Sequence, residues 1–108
     1  MIQAFDPSLP DEVNLASTLY LAIESQEAVQ VLDWFIDNPD TRIEGWDLAD
    51  RLDFPEHKLV GIAMHEIGQK AALLNRKRPW GEGQLGYLMP MDQAALLRSA
   101  REKAQREL

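Results

Sequence analysis

The stretch that decides the fold runs from Thr41 to Met91, TRIEGWDLADRLDFPEHKLVGIAMHEIGQKAALLNRKRPWGEGQLGYLMPM. It opens with a β-prone piece at residues 41–43, which is followed by an amphipathic helix at residues 45–52. A tight turn at residues 53–55 then leads into a longer helix over about residues 56–74. Residues 79–89 follow, and three glycines there allow the chain to reverse as a hairpin. Helix, turn, helix and hairpin in this order predict a winged helix-turn-helix fold, mainly α with a small β-hairpin (α+β).

Two more helices are predicted on either side of this stretch. Ser25 is a favourable N-cap for a helix that ends at Asn38, because Pro39 disfavours helical geometry in the residue before it. Asp92 is a favourable N-cap for a C-terminal helix. The apolar stripe of that last helix consists of Leu97, Ala100, Ala104 and Leu108.

The first part of the chain is interpreted as an addition to the motif. Residues 1–24 form an N-terminal extension, with a short edge strand at residues 2–5 and a helix that Asp11 caps. The extension either packs on its own domain or forms the contact between two copies of the chain. Residues 25–108 are the predicted winged-helix domain.

The longer helix of the motif has two different faces. Its apolar residues recur at helical spacing and are expected to be buried, namely Val60, Met64, Ile67, Ala71 and Leu74. The opposite face is polar and basic, with small side chains that would let the backbone approach a ligand, and it carries Lys58, Gly61, His65, Gln69, Ala72 and Arg76. Gln69 would pair with adenine, and Arg76 with guanine or a phosphate. Gly61 and Gly68 leave two alternatives open, which are close packing of another helix and a break in the helix.

A basic cluster, Arg76-Lys77-Arg78, comes directly before the hairpin. In winged-helix proteins this hairpin lies along the DNA backbone, where Lys and Arg neutralise phosphates. The candidate DNA contacts are therefore Lys58, His65, Gln69, Arg76, Lys77 and Arg78. Glu82 has the wrong sign for a phosphate contact, and Trp80 and Tyr87 are expected to pack the hairpin onto the helix rather than to stack on bases.

Charge is divided unevenly along the chain, whose net charge is −7. Residues 1–56 carry thirteen acids and two bases, a local charge of −11, whereas residues 57–108 carry nine bases and five acids, a local charge of +4. The basic half favours an anionic partner, although acid-rich surfaces also serve solubility. Glu44, Asp47 and Asp50 count against DNA, because the first helix of the motif normally crosses the phosphate backbone. They indicate a protein-binding surface as the alternative.

No motif for catalysis or metal binding is found in the sequence. The chain has no cysteine, and the residue four positions after His65 is Gln69, so the two-histidine zinc motif is missing. The serines lack a nucleophile-elbow context, and no phosphate-binding glycine loop follows a strand. We therefore expect a protein that is not an enzyme and uses no cofactor. The absence of a signal peptide and of a long apolar run predicts a cytoplasmic location without membrane contact.

Two short motifs resemble a known group of proteins. They are Leu48-Ala49-Asp50-Arg51-Leu52-Asp53-Phe54-Pro55 on the first helix and turn, and Arg78-Pro79-Trp80 followed by Gly86-Tyr87-Leu88-Met89-Pro90 in the hairpin. Over about residues 28 to 105 the chain is similar to small uncharacterised actinobacterial winged helix-turn-helix proteins. The resemblance implies the winged-helix fold and brings no activity or binding residues with it.

Two functions follow as hypotheses. The first is a small DNA-binding protein, a transcriptional regulator or accessory factor that acts as a homodimer and whose binding falls steeply with salt. The second is a protein–protein interaction module on the same fold, which uses the acidic half or the N-terminal helix and binds no DNA. An inhibitor that docks on a basic protein through the acidic half is a third hypothesis.

Overall fold

The structure is a computed structural model, and it describes residues 2–83 and 86–107. Its elements in chain order are α1 (Glu12–Ala22), α2 (Gln26–Asp37), α3 (Gly45–Arg51), α4 (Lys58–Leu73), β1 (Gly81–Gly83), β2 (Gly86–Leu88) and α5 (Met91–Glu107). Helices dominate the described part of the chain, and β1 and β2 pair as an antiparallel hairpin. The predicted mainly α-helical fold with a small β-hairpin is therefore confirmed.

The beginning of α2 is held by two side chains. The Ser25 hydroxyl accepts a hydrogen bond from the Ala28 amide at 3.1 Å, which confirms the predicted N-cap. The Glu66 carboxylate, which comes from α4, accepts the amides of Glu24 at 2.7 Å and Ser25 at 3.2 Å. Burial alone would raise the pKa of Glu66, but these hydrogen bonds and one from the Ser25 side chain lower it. Helix α2 ends before Pro39, as predicted.

A tight turn joins α3 to α4. Helix α3 ends at Arg51, and Asp53 then adopts a left-handed conformation with φ of 57°. The Phe54 amide donates to the Ala49 carbonyl at 2.9 Å, which closes the turn. Helix α4 begins at Lys58, two residues later than the sequence indicates, and runs without interruption to Leu73. The break considered at Gly68 is therefore wrong.

The segment before α3 joins the hairpin as a third extended piece. Ile43 and Tyr87 exchange two backbone hydrogen bonds, of 2.9 Å and 2.8 Å. Gly86 makes this close approach possible: its φ is +111°, and a Cβ added there would lie 2.1 Å from the Ile43 carbonyl oxygen. Two residues of the predicted hairpin, Gln84 and Leu85, lie outside the described residues.

One hydrophobic core joins the helices. Helix α1 packs on α5, and α2 packs against both α4 and α5. The largest fully buried side chains come from every part of the described chain and include Phe5, Leu19, Phe35, Leu48, Ile67, Met89 and Leu97. Trp80 is buried and stacks on Phe35 with a centroid separation of 6.1 Å, so it packs on a helix as predicted, although this ring belongs to α2 and not to α4. On α4 the expected stripe is buried except for Leu74, which is half-buried, and Leu108 of the α5 stripe lies outside the described residues.

Two predicted helix caps differ from the structure. Helix α5 begins at Met91, so Asp92 lies inside its first turn and does not precede it. The Asp40 carboxylate accepts the Met91 amide at 3.1 Å instead, from 51 residues earlier in the chain. At α1, Asp11 precedes the helix but its side chain makes no capping hydrogen bond. Both predictions relied on residue type and position alone, which do not include the contact from Asp40 at α5 or the backbone hydrogen bonds that the first amides of α1 make to Leu9 and Asp11.

The first residues of the chain contact the segment after α4. The Lys77 amide donates to the Gln3 carbonyl at 2.9 Å, and Gln3 forms a parallel bridge with Arg76. Phe5 is buried, and its carbonyl accepts a hydrogen bond of 2.7 Å from the buried Gln93 amide group. These contacts place the N-terminal segment beside the basic cluster.

Candidate nucleic-acid interface

A cleft lies between α4 and the residues that follow it. Its volume is about 500 Å³, and its walls are formed by Ile2, Met64, His65, Gly68, Gln69, Ala72, Arg76, Lys77, Arg78 and Trp80. Five of the six residues predicted to contact DNA therefore line one concave surface. Lys58 is not among the lining residues, because it is the first residue of α4. We call residues 76–78 the basic segment.

Arg76 is engaged within the chain. Its Nε donates to Glu12 Oε1 at 2.6 Å, and its Nη2 donates to Glu12 Oε2 at 3.2 Å. The side chains of Arg76 and Glu12 are 12% and 3% exposed. The bidentate contact raises the pKa of Arg76 and lowers that of Glu12, whose burial opposes the shift. The guanidinium therefore fixes the basic segment to the start of α1, and its charge is neutralised there.

The other predicted cations differ in whether a carboxylate of the chain forms an ion pair with them. Arg78 Nη1 lies 2.9 Å from Glu82 Oε1 across the start of the hairpin. Lys58 Nζ lies 3.6 Å from Glu56 Oε2. Lys77 is exposed, and no carboxylate of residues 2–83 or 86–106 forms an ion pair with it. Because exposed ion pairs contribute at most about 1 kcal/mol, Arg78 and Lys58 can exchange their carboxylates for phosphates at low cost.

The outward side of α4 forms an open face, which consists of Gly61, Ile62, His65, Gln69, Ala72 and Leu73. The sequence reasoning took this side as polar and basic, but Ile62 is 58% exposed and Leu73 is 80% exposed. No residue of the open face carries a formal charge when His65 is neutral. Their positions could have been found from the helical period, because Ile62 comes three residues before His65 and Leu73 comes four after Gln69.

The two glycines of α4 have room around them. A Cβ built at Gly61 or Gly68 meets no described atom within 4 Å outside the surrounding helix backbone. No other helix of the described chain packs against them, so the close-packing alternative is wrong within one copy. The space is open to a ligand or to another molecule.

Acidic side chains lie before α4 and around α3. Asp50 Oδ1 lies 3.1 Å from His57 Nε2, and Asp47 pairs with Arg51 at 3.3 Å. Glu44 accepts a hydrogen bond from the indole of Trp46, which is 54% exposed. This region is therefore an acidic surface with one exposed aromatic ring, at the opposite end of α4 from the basic segment.

Two further findings concern the described part of the chain. No three histidine, cysteine, aspartate or glutamate side chains within it lie close enough to share a metal ion. None of its helices combines the length and the apolar character needed to cross a membrane.

Comparison of the chain with protein-family models, with curated proteins and with solved structures finds no match. The likeness to the actinobacterial winged-helix proteins therefore stays a prediction.

Proposed function

We propose that this chain is a winged helix-turn-helix protein that binds duplex DNA through α4 and the basic segment, as a regulator of transcription or an accessory factor. The order α3, turn, α4 and hairpin supports the fold, as does the pairing of Ile43 with Tyr87 beside the hairpin. The resemblance to actinobacterial winged-helix proteins points the same way. In this fold α4 would enter the major groove and the hairpin would lie along the backbone.

The convergence of His65, Gln69, Lys77 and Arg78 on one cleft carries the proposal. His65 and Gln69 present donors and acceptors on the exposed side of α4, and these groups would face base edges in the major groove. Lys77 and Arg78 would contact phosphates at the rim. Arg76 would position the segment rather than touch DNA, because Glu12 holds it.

The number of available cations sets the strength and salt dependence of binding. Lys77 can reach a phosphate directly, and Lys58 and Arg78 can do so once their exposed carboxylate partners are displaced. Three phosphate contacts give a slope of about −2.7 for log K against log salt, whereas a fourth contact from Arg76 would make the slope about −3.6. We therefore expect weak, non-specific binding with a moderate salt dependence.

A titration with random duplex DNA tests the proposal. Between about 50 mM and 200 mM salt the affinity should fall by about 40-fold, as three phosphate contacts require. The double variant Lys77→Ala, Arg78→Ala should lose most of this dependence, because two of the three contacts are removed. Arg106→Ala on α5 is the matched control and should behave as the original protein does. An unchanged titration of the double variant would rule out the basic segment as the contact.

Glu82→Gln offers the reverse change at the same site. It releases Arg78 from its carboxylate partner and removes a negative charge from the hairpin. We expect DNA to bind more tightly, by about threefold to tenfold at low salt, because Arg78 no longer exchanges a carboxylate for the phosphate and a repelling charge is removed. A decrease in affinity would contradict the assignment of Arg78.

A second candidate function is a protein–protein interaction module without DNA binding. The exposed Ile62 and Leu73 on α4, and the exposed Trp46 among the acids of α3, favour it. This alternative predicts that duplex DNA is not retarded even at low salt.

A further inference from the structure

We propose that two copies of this chain associate through the open faces of their α4 helices, packed antiparallel about a two-fold axis. The association goes beyond DNA binding, because it would cover in the free protein the same surface that DNA would occupy. Three features of α4 and its flanks support it.

The apolar residues of the open face are placed for self-pairing. Ile62 and Leu73 are both exposed and lie eleven residues apart, which is about 16 Å along a helix. A two-fold axis midway between them falls close to Gly68. Antiparallel packing then sets Ile62 of each copy against Leu73 of the other, so both apolar side chains leave water.

The charges at the two ends of α4 have opposite signs. Asp50, Asp53 and Glu56 are exposed before its first turn, and Lys77 and Arg78 are exposed after its last turn. Lys58 pairs with Glu56 and Glu82 pairs with Arg78, which leaves an excess of acid at the first end and the charge of Lys77 at the other. Antiparallel packing brings the acidic end of one copy to the basic end of the other, at both ends of the contact. Parallel packing would bring like charges together, so the charge distribution selects one orientation.

The middle of the open face accepts a neighbouring helix. His65 and Gln69 carry no formal charge when the imidazole is neutral, and Gly61 and Gly68 leave space beside them. A neutral centre between charged ends removes the cost of desolvating an ion. The small side chains allow the helix axes to approach closely.

Self-association and DNA binding would then compete. In the pair, carboxylates of the second copy take the positions beside Lys77 and Arg78 that phosphates would take in a DNA complex. A single helix-to-helix contact belongs to the small and weak class of interfaces, so we expect a dissociation constant of about 10–100 μM.

Sedimentation equilibrium without DNA tests the association. The protein should move from monomer to dimer over the micromolar range, and the double variant Ile62→Gln, Leu73→Gln should weaken the dimer at least tenfold. Leu21→Gln, which changes an exposed leucine on α1, is the matched control and should leave the dimer intact. A protein that stays monomeric at about 1 mM, or a dimer that persists in the double variant, would overturn the proposal.

A charge exchange tests the antiparallel orientation. Lys77→Glu and Glu56→Lys should each weaken self-association severalfold, because like charges then meet at both ends. An equimolar mixture of the two variants should associate at least as strongly as the original protein, since each carboxylate again faces an ammonium. Failure of the mixture to associate would overturn the antiparallel arrangement. Because DNA is absent from both experiments, their outcome is separate from that of the DNA titration.

Discussion

Replacing Gly86 with alanine is expected to lower the free energy of unfolding by about 3 kcal/mol or more. The backbone φ of +111° at this position is strained for any residue with a side chain. The added Cβ would also lie 2.1 Å from the carbonyl oxygen of Ile43 and 2.9 Å from the Cα of Glu44. Both are backbone atoms, so a side-chain rotation cannot relieve the contact, and the hairpin must move away from the segment before α3.

Urea unfolding of Gly86→Ala beside Gly61→Ala measures this effect. Gly61 lies on α4 with open space around it, so alanine there should raise stability by about 0.5–1 kcal/mol. A lower free energy of unfolding for Gly86→Ala and a higher one for Gly61→Ala would show that the position of the glycine decides the effect of alanine. Amide exchange at Ile43 and Tyr87 should also become faster in Gly86→Ala, because their two hydrogen bonds are lost. Equal stability of Gly86→Ala and the original protein would contradict the close approach.

Replacing Glu12 with glutamine is expected to cost about 2–3 kcal/mol at neutral pH, somewhat less than the ~3–5 kcal/mol of a fully enclosed ion pair because Arg76 keeps a little contact with water. The glutamine preserves the shape of the side chain and can still accept the Asp6 amide, which donates to Glu12 Oε1 at 3.0 Å. What is lost is the negative charge opposite the guanidinium. Asp11→Asn is the matched control, since Asp11 is exposed and its side chain makes no cap.

The pH dependence of stability in acid gives a second test of the Glu12–Arg76 pair. The contact with Arg76 holds the pKa of Glu12 below its ordinary value of 4.5 in the folded protein. The stabilisation is therefore present above pH 4.5 and is lost as the pH falls through the lowered folded pKa. Urea unfolding of Glu12→Gln and of the original protein should differ at neutral pH and converge in acid. A difference in stability that stays constant with pH would mean that the charge of Glu12 does not contribute.

Elements whose signals are local in the chain could be predicted from the sequence. Helix α2 follows from a capping serine and a terminating proline, which act on their immediate neighbours. The buried stripe of α4 follows from helical spacing. Trp80 was expected to pack rather than bind, and its stacking on Phe35 confirms this. The hairpin followed from its glycines, although sequence alone did not indicate that Ile43 would pair with it.

Contacts between distant residues could not be predicted in the same way. The Glu12–Arg76 pair joins residues 64 positions apart, and nothing in residue type distinguishes Glu12 from the other acids of the first half. Asp40 similarly replaces Asp92 at the start of α5. In the candidate site, the sequence predicts that the basic segment and α4 share one surface, and residues of both line the cleft. The sequence analysis does not predict the exposure of Ile62 and Leu73 beside the polar residues of α4. Lys58 and Arg78 form ion pairs with Glu56 and Glu82, so the positive charge of this surface is smaller than the number of its basic residues suggests.

The starts of two helices are held by carboxylates from remote parts of the chain, Glu66 at α2 and Asp40 at α5. A peptide that carries only α5 lacks Asp40, so its first turn should fray in water, as short isolated helices do. Each such contact makes the order of one helix conditional on that of a distant segment, which is α4 for α2 and the turn at Asp40 for α5. Loosening either end therefore weakens the remote segment that supplies its carboxylate, and this mutual dependence favours a single, all-or-none unfolding transition.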